Sequence, residues 1–401
     1  MEGKKCVGIL TSGGDAPGMN AAIRAVTRAA IYNGFDVKGI MRGYKGLITD
    51  EIIPFQTQNV SNIIQQGGTI LKTARCEEFR TPEGRKIAYD NIIKHGISAL
   101  VVIGGDGSLT GARIFASEYN FPIVGVPGTI DNDLFGTDHC PGYASAAKYV
   151  ATTCMEIYRD ARVYDTGMVC VIEIMGRHAG WLTAASSLAN ISGEGPDLIY
   201  LPERDFDLNK FVEDVKAVYA RSGKCIAAVS EGIHDSTGKL IAEYGAENAP
   251  VDAFGHKQLG GLASYLANYI KGTLGCKVRG IEFSLMQRCG AHLASLTDIQ
   301  ESFLSGKTAV LEAISGTTDK MVGFERKYDE KGSYVCGIKL MDLTDVANTE
   351  KKVPLEWINR EGNNVNKEFI DYALPLIQGT PDRPLENGLP RFARLKKVFA
   401  K

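Results

Sequence analysis

One pattern recurs along the chain: a short apolar run is followed by a longer stretch in which apolar residues have helical spacing. Uninterrupted apolar runs predict strands that are buried on both faces, and they cover residues 6–11, 100–103, 123–126, 168–174, 198–201 and 226–230. The intervening helical stretches cover residues 20–32, 87–94, 109–118, 144–159 and 208–219. Repeated strand-then-helix order predicts an α/β fold with parallel sheets flanked by helices.

The predicted strands form two series, one before and one after about residue 140. Two such series in 401 residues predict two α/β lobes with a cleft between them. No linker rich in Pro, Gly or Ser separates the series, so we expect the lobes to pack closely. The stretch from about residue 341 is polar and irregular, and we interpret it as an extension that covers the surface.

Composition and charge disfavour several functions. The net charge of −2 does not favour nucleic acid or an anionic membrane as a partner. We find neither a signal peptide nor an uncharged stretch of about 20 residues that could span a membrane. The nine cysteines are scattered without a C-x-x-C pair, which argues against a disulfide framework or a zinc site. We therefore expect a cytoplasmic protein with reduced thiols.

Two glycine-rich loops follow strands of the first series. The first loop reads TSGGDAPGMN over residues 11–20, and the second reads GGDGS over residues 104–108, with Gly111 one turn later. Glycines let the backbone approach an anion, and N–H groups at a helix start bind phosphate oxygens. Asp106 in the second loop could hold Mg2+ directly or through water. A tight strand-to-helix turn remains the alternative for the first loop, which is neither a Walker A nor a G-x-G-x-x-G motif.

A third loop, PGTIDND over residues 127–133, also follows a predicted strand. Asp131 and Asp133 are two positions apart on an extended segment, so one can face an acceptor hydroxyl while the other faces a metal ion. The alternative is an acidic turn in which both aspartates cap the following helix. Three Gly/Asp loops at strand ends of one lobe favour phosphoryl transfer.

Arginines supply positive charge at several places. Arg75 and Arg80 lie in KTARCEEFR over residues 72–80, and Arg177, Arg279 and Arg288 come later. The planar guanidinium binds phosphate through two parallel hydrogen bonds. Taken alone, each arginine is more often a solvated surface residue, so none decides the interpretation.

Read in order, TSGGDAPGMNAAIR, TAR, GGDGS, PGTIDND, MGR, SEG and QR resemble the motifs of 6-phosphofructokinases over roughly residues 5–340. The resemblance implies two stacked Rossmann-like lobes with the active site in the cleft between them. Residues 1–140 plus about 287–340 would form a nucleotide-binding lobe. Residues 141–286 plus about 341–401 would form a sugar-phosphate-binding lobe with a C-terminal extension.

The resemblance also implies catalytic roles. Asp131 would be the general base that takes the proton from the 1-hydroxyl of fructose 6-phosphate. Thr129 and Arg177 would stabilise the transferring phosphoryl group, and Gly14 would belong to the same catalytic set. The reaction would transfer the γ-phosphoryl of ATP, giving fructose 1,6-bisphosphate and ADP.

Binding roles follow in the same way. Asp106 and Asp133 would position Mg2+. The residues implied to bind the nucleotide are Gly14, Arg75, Cys76, Gly105, Asp106, Gly107, Ser108 and Gly111. The residues implied to bind the sugar phosphate are Thr129, Asp131, Met175, Gly176, Arg177, Glu231, Arg279 and Arg288. Arg279 would reach the substrate from a neighbouring subunit, so the resemblance implies a homodimer or homotetramer.

Two positions bear on the phosphoryl donor. Pyrophosphate users in the resembled family usually have Asp where this chain has Gly107 and Lys where it has Gly128. An Asp at 107 would crowd and repel the α-phosphate region of ATP, and a Lys at 128 would supply charge to pyrophosphate. Because both positions are glycine, we predict ATP as the donor.

Other features depart from the ATP-dependent pattern. Met168 and Leu285 stand where many ATP enzymes have Arg and His, and HAGW over residues 178–181 resembles the pyrophosphate branch, as does the C-terminal extension. We predict an ATP enzyme of a lineage intermediate between the two branches. The alternatives are a pyrophosphate-dependent relative, accepting fructose 6-phosphate or sedoheptulose 7-phosphate, and a non-catalytic regulatory subunit. Arg24 and Arg28 match two arginines of the bacterial effector pocket or are solvated helix residues.

Overall fold

The strands form two main sheets and one short hairpin. The computed structural model describes residues 5–245, 261–346 and 350–391. The strands are, in chain order, β1 (Cys6–Ser12), β2 (Asp36–Ile40), β3 (Ile52–Phe55), β4 (Ile97–Gly104), β5 (Ile123–Pro127), β6 (Met168–Ile174), β7 (Leu198–Tyr200), β8 (Lys224–Ser230), β9 (Lys277–Glu282), β10 (Lys320–Tyr328), β11 (Tyr334–Asp342), β12 (Leu385–Glu386) and β13 (Leu389–Pro390).

The larger sheet has seven strands in the order β11-β10-β5-β4-β1-β2-β3. Its central strands are parallel, whereas the edge strands β3 and β11 run antiparallel to their neighbours. The register pairs Ser12 with Gly104 and Gly104 with Pro127. All three loops therefore leave the sheet at the same edge, as expected for the carboxyl ends of parallel strands.

The smaller sheet contains β7, β8, β6 and β9 in that order, and all of its pairs are parallel. Ile174 pairs with Ser230, so the MGR and SEG motifs leave this sheet side by side. The predicted parallel α/β fold is confirmed. The sequence pattern missed β2, β3, β9, β10 and β11, because β3 has only four residues and because charged residues or glycines interrupt the apolar residues of the other four.

Helices cover the sheets. They are α1 (Met19–Tyr32), α2 (Gly43–Ile48), α3 (Pro82–Lys94), α4 (Asp106–Tyr119), α5 (Tyr143–Ala161), α6 (Trp181–Ala185), α7 (Leu208–Ser222), α8 (Ile241–Gly245), α9 (Leu262–Leu274), α10 (Met286–Cys289), α11 (Leu296–Ser315), α12 (Leu343–Val346) and α13 (Lys367–Ala373). Short 3-10 helices occupy Thr57–Val60, Glu77–Arg80, Ser186–Ser192, Ala291–Leu293, Leu355–Trp357 and Leu374–Ile377. Among the described residues, none of these helices has the length and apolar character needed to cross a membrane.

The longest helix, α11, was not predicted. It packs closely on α1, since a Cβ atom added at Gly306 would lie 2.5 Å from the carbonyl oxygen of Ala22. Its buried face includes Asp298, which accepts hydrogen bonds from the N–H groups of Gly142 and Ser145 at the start of α5. Polar residues on a buried face hide the helical period from a reading of apolar spacing alone.

The chain after residue 341 does more than cover the surface. Residues 350–377, here called the C-terminal segment, place Phe369, Ala373 and Leu376 in the main core. Trp181 lies beside Trp357 and Tyr372, with ring centroids 6.1 and 5.2 Å away. The surface interpretation was wrong here because the apolar residues are widely spaced among polar ones. The division into two ligand-binding lobes stays a prediction.

Candidate active site

A cavity of about 1050 Å3 lies where the three loops leave the larger sheet. The predicted site residues that line it are Gly14, Arg75, Cys76, Gly105, Asp106, Gly107, Ser108, Gly111, Thr129, Asp131, Asp133, Met175 and Arg288. Met175 follows β6, so the smaller sheet contributes to the same cavity. The structure therefore brings residues from both strand series to one cleft.

The first two loops approach each other closely. A Cβ atom at Gly104 would lie 2.5 Å from the carbonyl oxygen of Ser12 and 2.7 Å from the Cβ of Ser108. Backbone packed this tightly requires glycine. α4 begins at Asp106, directly at the cavity, so the N-terminal end of a 14-residue helix faces the space that the loops enclose. Such a helix start favours an anion.

An aromatic pair forms part of the cavity wall next to the second loop. The rings of Tyr44 and Phe79 are stacked with centroids 4.0 Å apart, and the Tyr44 hydroxyl donates a hydrogen bond to the Ser108 carbonyl at 2.5 Å. Gly111 allows this contact, because a Cβ there would lie 3.2 Å from Tyr44 and 3.4 Å from Phe79. Sequence reasoning missed both aromatic residues, since neither belongs to a motif.

The third loop, here called the catalytic loop (residues 127–133), has an unusual backbone at its centre. Asn132 is fully buried and has a left-handed φ of 57°. Its Oδ1 accepts a hydrogen bond from the N–H of Cys140 at 3.0 Å. The Thr129 hydroxyl accepts one from the N–H of Asp131 at 3.1 Å. The loop is thereby fixed on both sides of Asp131. The alternative interpretation, in which Asp131 and Asp133 cap the following helix, does not hold. The start of α5 is capped by Asp298 instead.

The carboxylates of the cavity influence one another. Burial, together with the neighbouring Asp133 and Glu231, raises the pKa of Asp131 to about 7, and Arg288 acts in the opposite direction. Burial also raises the pKa of Asp133, and the nearby Asp106 acts in the same direction. A carboxyl group whose pKa lies near neutrality is suited to accept a proton from a hydroxyl.

Asp106 and Asp133 both line the cavity, and their charges interact. Mg2+ in phosphoryl-transfer sites is usually held by one or two carboxylates together with phosphate oxygens. The two aspartates therefore fit the predicted role as ligands of a magnesium ion.

The MGR and SEG motifs hold each other at the end of the smaller sheet. The N–H of Gly176 donates to the Glu231 carboxylate at 3.3 Å, and the Ser230 hydroxyl donates to the Gly176 carbonyl at 2.5 Å. The side-chain oxygen of Gln287 accepts a hydrogen bond from the N–H of Met175 at 3.2 Å. No role was predicted for this residue from the sequence. Its position directly before Arg288 in the QR motif was the signal that could have found it.

Four predicted sugar-phosphate residues do not line the cavity of this chain: Gly176, Arg177, Glu231 and Arg279. The first two follow Met175 directly in the sequence, and Glu231 acts on the pKa of Asp131. Arg279 is on β9, at the edge of the smaller sheet, with its side chain half exposed and 3.8 Å from Asp160. Its predicted role across a subunit boundary stays a prediction.

The predicted effector arginines differ in their surroundings. The Arg24 guanidinium donates a hydrogen bond to the Val60 carbonyl at 2.6 Å, whereas Arg28 is exposed. Arg24 therefore has a structural partner within the chain.

Asp15, in the first loop, was not assigned a role from the sequence. It lines the cavity, and its Oδ1 is buried without a hydrogen-bond partner among the described residues. Burial raises its pKa, and Arg288 opposes this shift. An acidic group thus lies beside Arg288 on the side of the cleft where phosphate binding was predicted.

A cleft between two α/β sheets, with helix starts and carboxylates facing one cavity, defines an α/β enzyme of phosphoryl transfer. A family model described as Phosphofructokinase matches residues 6–281, and the chain belongs to the phosphofructokinase family. The family resemblance inferred from the motifs is confirmed.

Individual relatives divide by how much of the chain they match. An ATP-dependent 6-phosphofructokinase 2 of Bacteroides thetaiotaomicron is 52% identical over 263 residues, which is 64% of this chain and 79% of the relative. A pyrophosphate--fructose 6-phosphate 1-phosphotransferase of Xanthomonas campestris is 36% identical over 408 residues, covering 96% of this chain and 95% of the relative. The crystal structure of a pyrophosphate-dependent phosphofructokinase from Marinobacter aquaeolei aligns with a TM-score of 0.86 at 30% identity, over 99% of this chain and 97% of that chain.

Proposed function

We propose that this protein transfers the γ-phosphoryl group of ATP to the 1-hydroxyl of D-fructose 6-phosphate, giving fructose 1,6-bisphosphate and ADP. The observation that carries the proposal is the convergence of three loops on one cavity, with Asp131 beside the nucleotide-side glycines. Relatives named ATP-dependent 6-phosphofructokinase, at 42–52% identity, support the same activity.

In this mechanism Asp131 accepts the proton of the attacking hydroxyl. Burial and its carboxylate neighbours raise its pKa to about 7, which makes it basic enough to take the proton near neutral pH. Thr129 and Arg177 stabilise the transferring phosphoryl group, whose charge is spread over its oxygens in the transition state. Met175, Gly176, Glu231 and Arg288 hold the sugar phosphate, and Arg279 of a neighbouring subunit completes that site in a homodimer or homotetramer.

The nucleotide occupies the part of the cavity next to α4. The residues that contact it are Gly14, Arg75, Cys76, Gly105, Gly107, Ser108 and Gly111, and Asp106 and Asp133 would hold Mg2+. When bound, the metal ion neutralises charge on the phosphate groups of the donor. The start of α4 adds backbone N–H groups to the same anion site.

Two glycines support ATP as the donor. A Cβ atom at Gly107 would meet no atom of the described residues within 4 Å, so the position leaves open space in the cavity. A Cβ at Gly128 would lie 3.1 Å from Ile103 and 3.2 Å from Met19, so a lysine there would require both neighbours to shift. The chain thus leaves space open at Gly107 and packs closely on Gly128, the two positions where pyrophosphate users of the family differ.

A pyrophosphate-dependent enzyme is the second candidate, and one observation favours it. The relatives named as ATP-dependent match 64–68% of this chain, whereas the Xanthomonas campestris pyrophosphate enzyme matches 96% of it, including the C-terminal segment. Similarity over the full length supports this branch, and the residues of the donor site support ATP.

A coupled assay for fructose 1,6-bisphosphate, with fructose 6-phosphate, ATP and Mg2+, tests the proposal. We expect product formation that stops when a chelator removes the metal ion. A protein that is folded and binds ATP, but forms no bisphosphate with any donor, would contradict enzymatic activity and favour a regulatory subunit.

A further inference from the structure

The C-terminal segment reaches the catalytic loop through Lys351. Its ammonium group donates hydrogen bonds to the Asn132 Oδ1 at 3.3 Å and to the carbonyl oxygens of Thr137 and Asp138 at 3.2 and 2.7 Å. Its backbone N–H donates to the carbonyl of Asp133 at 2.7 Å. One residue of the segment thus contacts the catalytic loop at two successive positions.

Asn132 depends on the same segment for its second partner. Its amide nitrogen donates to the Tyr372 hydroxyl at 2.9 Å, and that hydroxyl donates to the Asp138 carbonyl at 2.7 Å. Asn132 is the residue with left-handed backbone between Asp131 and Asp133. Left-handed backbone is uncommon outside glycine, although asparagine adopts it more readily than most residues. The bonds to Asn132 therefore help to fix the directions in which both aspartates leave the loop.

The segment also holds the opposite wall of the cleft. The indole N–H of Trp181 donates to the Lys351 carbonyl at 2.8 Å, and the Lys351 ammonium lies 4.8 Å from the centre of the Trp181 ring. The Glu203 carboxylate accepts hydrogen bonds from the N–H groups of Val353 and Gly180, at 3.0 and 2.9 Å, and so joins the segment to the loop after the MGR motif. Gly180 and Trp181 follow the MGR motif within a few residues.

We propose that Lys351 is a positioning residue that fixes the catalytic loop relative to residues 175–181, which begin with the MGR motif and follow β6 of the smaller sheet. Resting on the function proposed above, this inference assigns the C-terminal segment a part in placing the general base against the bound sugar phosphate. Lys351 does not line the cavity and acts through Asn132 and the backbone of Asp133. Its loss should therefore lower turnover more than it weakens binding of either substrate.

Lys351→Met tests this inference, because methionine keeps much of the length and the contact with Trp181 but cannot donate hydrogen bonds. We expect kcat to fall by about 10²-fold, the effect of a small misplacement of reacting groups. KM for both substrates should stay within about threefold of the wild type. The matched control is Lys367→Met, which removes an 80% exposed lysine from the same segment and should retain wild-type kcat.

Hydrogen–deuterium exchange of the same variants gives a readout that does not depend on activity. Lys351→Met should accelerate exchange at residues 132–140, where the Cys140 N–H is bonded to Asn132, and leave the central strands of the larger sheet unchanged. A uniform increase over the whole protein would overturn the inference in favour of a general structural role. Unchanged exchange and unchanged kcat would overturn it as well.

Tyr372→Phe keeps the inference testable if Lys351→Met does not fold. It removes only the hydroxyl that joins Asn132 to Asp138, and we expect the same local acceleration of exchange with a smaller fall in kcat. Wild-type kcat and exchange in Tyr372→Phe would then count against the inference. Failure of the proposed function is distinguishable, since the wild type would form no bisphosphate while the local exchange effect would remain.

Discussion

The two sides of the cleft are built in different ways. On the donor side, Cβ atoms added at Gly14 or Gly107 would meet nothing within 4 Å in the part of the chain that the structure describes, so the site is defined by space left open there. On the acceptor side, Asn132 is fully buried and is held by residues 219 and 240 positions away in the sequence. The donor side of the proposed site is therefore set by the size of local residues, whereas the placement of Asp131, the proposed base, depends on distant parts of the chain.

The largest effect is expected at the acceptor side, from Asp131→Ser. Loss of the base should reduce kcat by about 10²–10⁴-fold, because a positioned general base contributes that much. Calorimetric binding of ATP and fructose 6-phosphate should remain within a few-fold of the wild type. Asp90→Ser, on the exposed face of α3, is the control and should be fully active. Unchanged turnover of Asp131→Ser would remove this residue from the mechanism.

Gly107→Asp tests the donor side. The added side chain has room in the protein but places a negative charge in the cavity, and we expect KM for ATP to rise by tenfold or more, about 1.4 kcal/mol. Binding of fructose 6-phosphate should be unaffected.

The control for this variant is Gly272→Asp, which adds the same charge at an exposed helical position that also has no atom within 4 Å. Equal loss of ATP and sugar-phosphate binding in Gly107→Asp would break the comparison, since position 107 would then not select the donor.

Gln287→Leu tests whether indirect support on the acceptor side extends to substrate binding. The change leaves the N–H of Met175 without its acceptor, which costs at most about 1–3 kcal/mol because the bond is only partly buried. We expect a rise of about tenfold in KM for fructose 6-phosphate with little change in KM for ATP. Gln58→Leu, at an exposed position, serves as the control. A rise in both KM values to the same degree would show that Gln287 supports the whole cleft.

The smallest effect is expected in the pH dependence of stability. His139 lies between the carboxylates of Asp138 and Glu301, which are bonded in turn to Arg326 and Tyr334. Burial opposes the charged imidazolium, but the two carboxylates together raise the pKa of His139 above its ordinary value. Its contribution to stability should be fully present below pH about 6.5, the value for an unfolded chain, and should be lost as pH rises through the folded-state pKa.

Urea unfolding at a series of pH values measures this contribution. The free energy of unfolding should fall as pH rises above 6.5 in the wild type, and this fall should be smaller in His139→Gln. An identical pH dependence in both proteins would mean that His139 does not carry a charge in the folded state.

Strands and loops that depend on residues adjacent in the sequence could be predicted from it. Strands β1, β4 and β5, the three loops after them and the meeting of these loops at one sheet edge follow from local patterns, and Met168–Ile174 has the predicted bounds. The contribution of Lys351 and Tyr372 could not be predicted, because their partners are brought near only by the folded chain. Tyr44 and Phe79 were missed for the same reason, because their stacked rings come from separate elements that only the folded chain brings together.

The most direct test of the central claim is the ratio of kcat/KM for ATP to kcat/KM for pyrophosphate, measured on the wild type with saturating fructose 6-phosphate and Mg2+. We expect a ratio far above one, because the donor side has glycine at positions 107 and 128. A ratio below one would retain the fold and Asp131 but contradict the assignment of the donor, and it would place this chain with the pyrophosphate enzymes that share its full length.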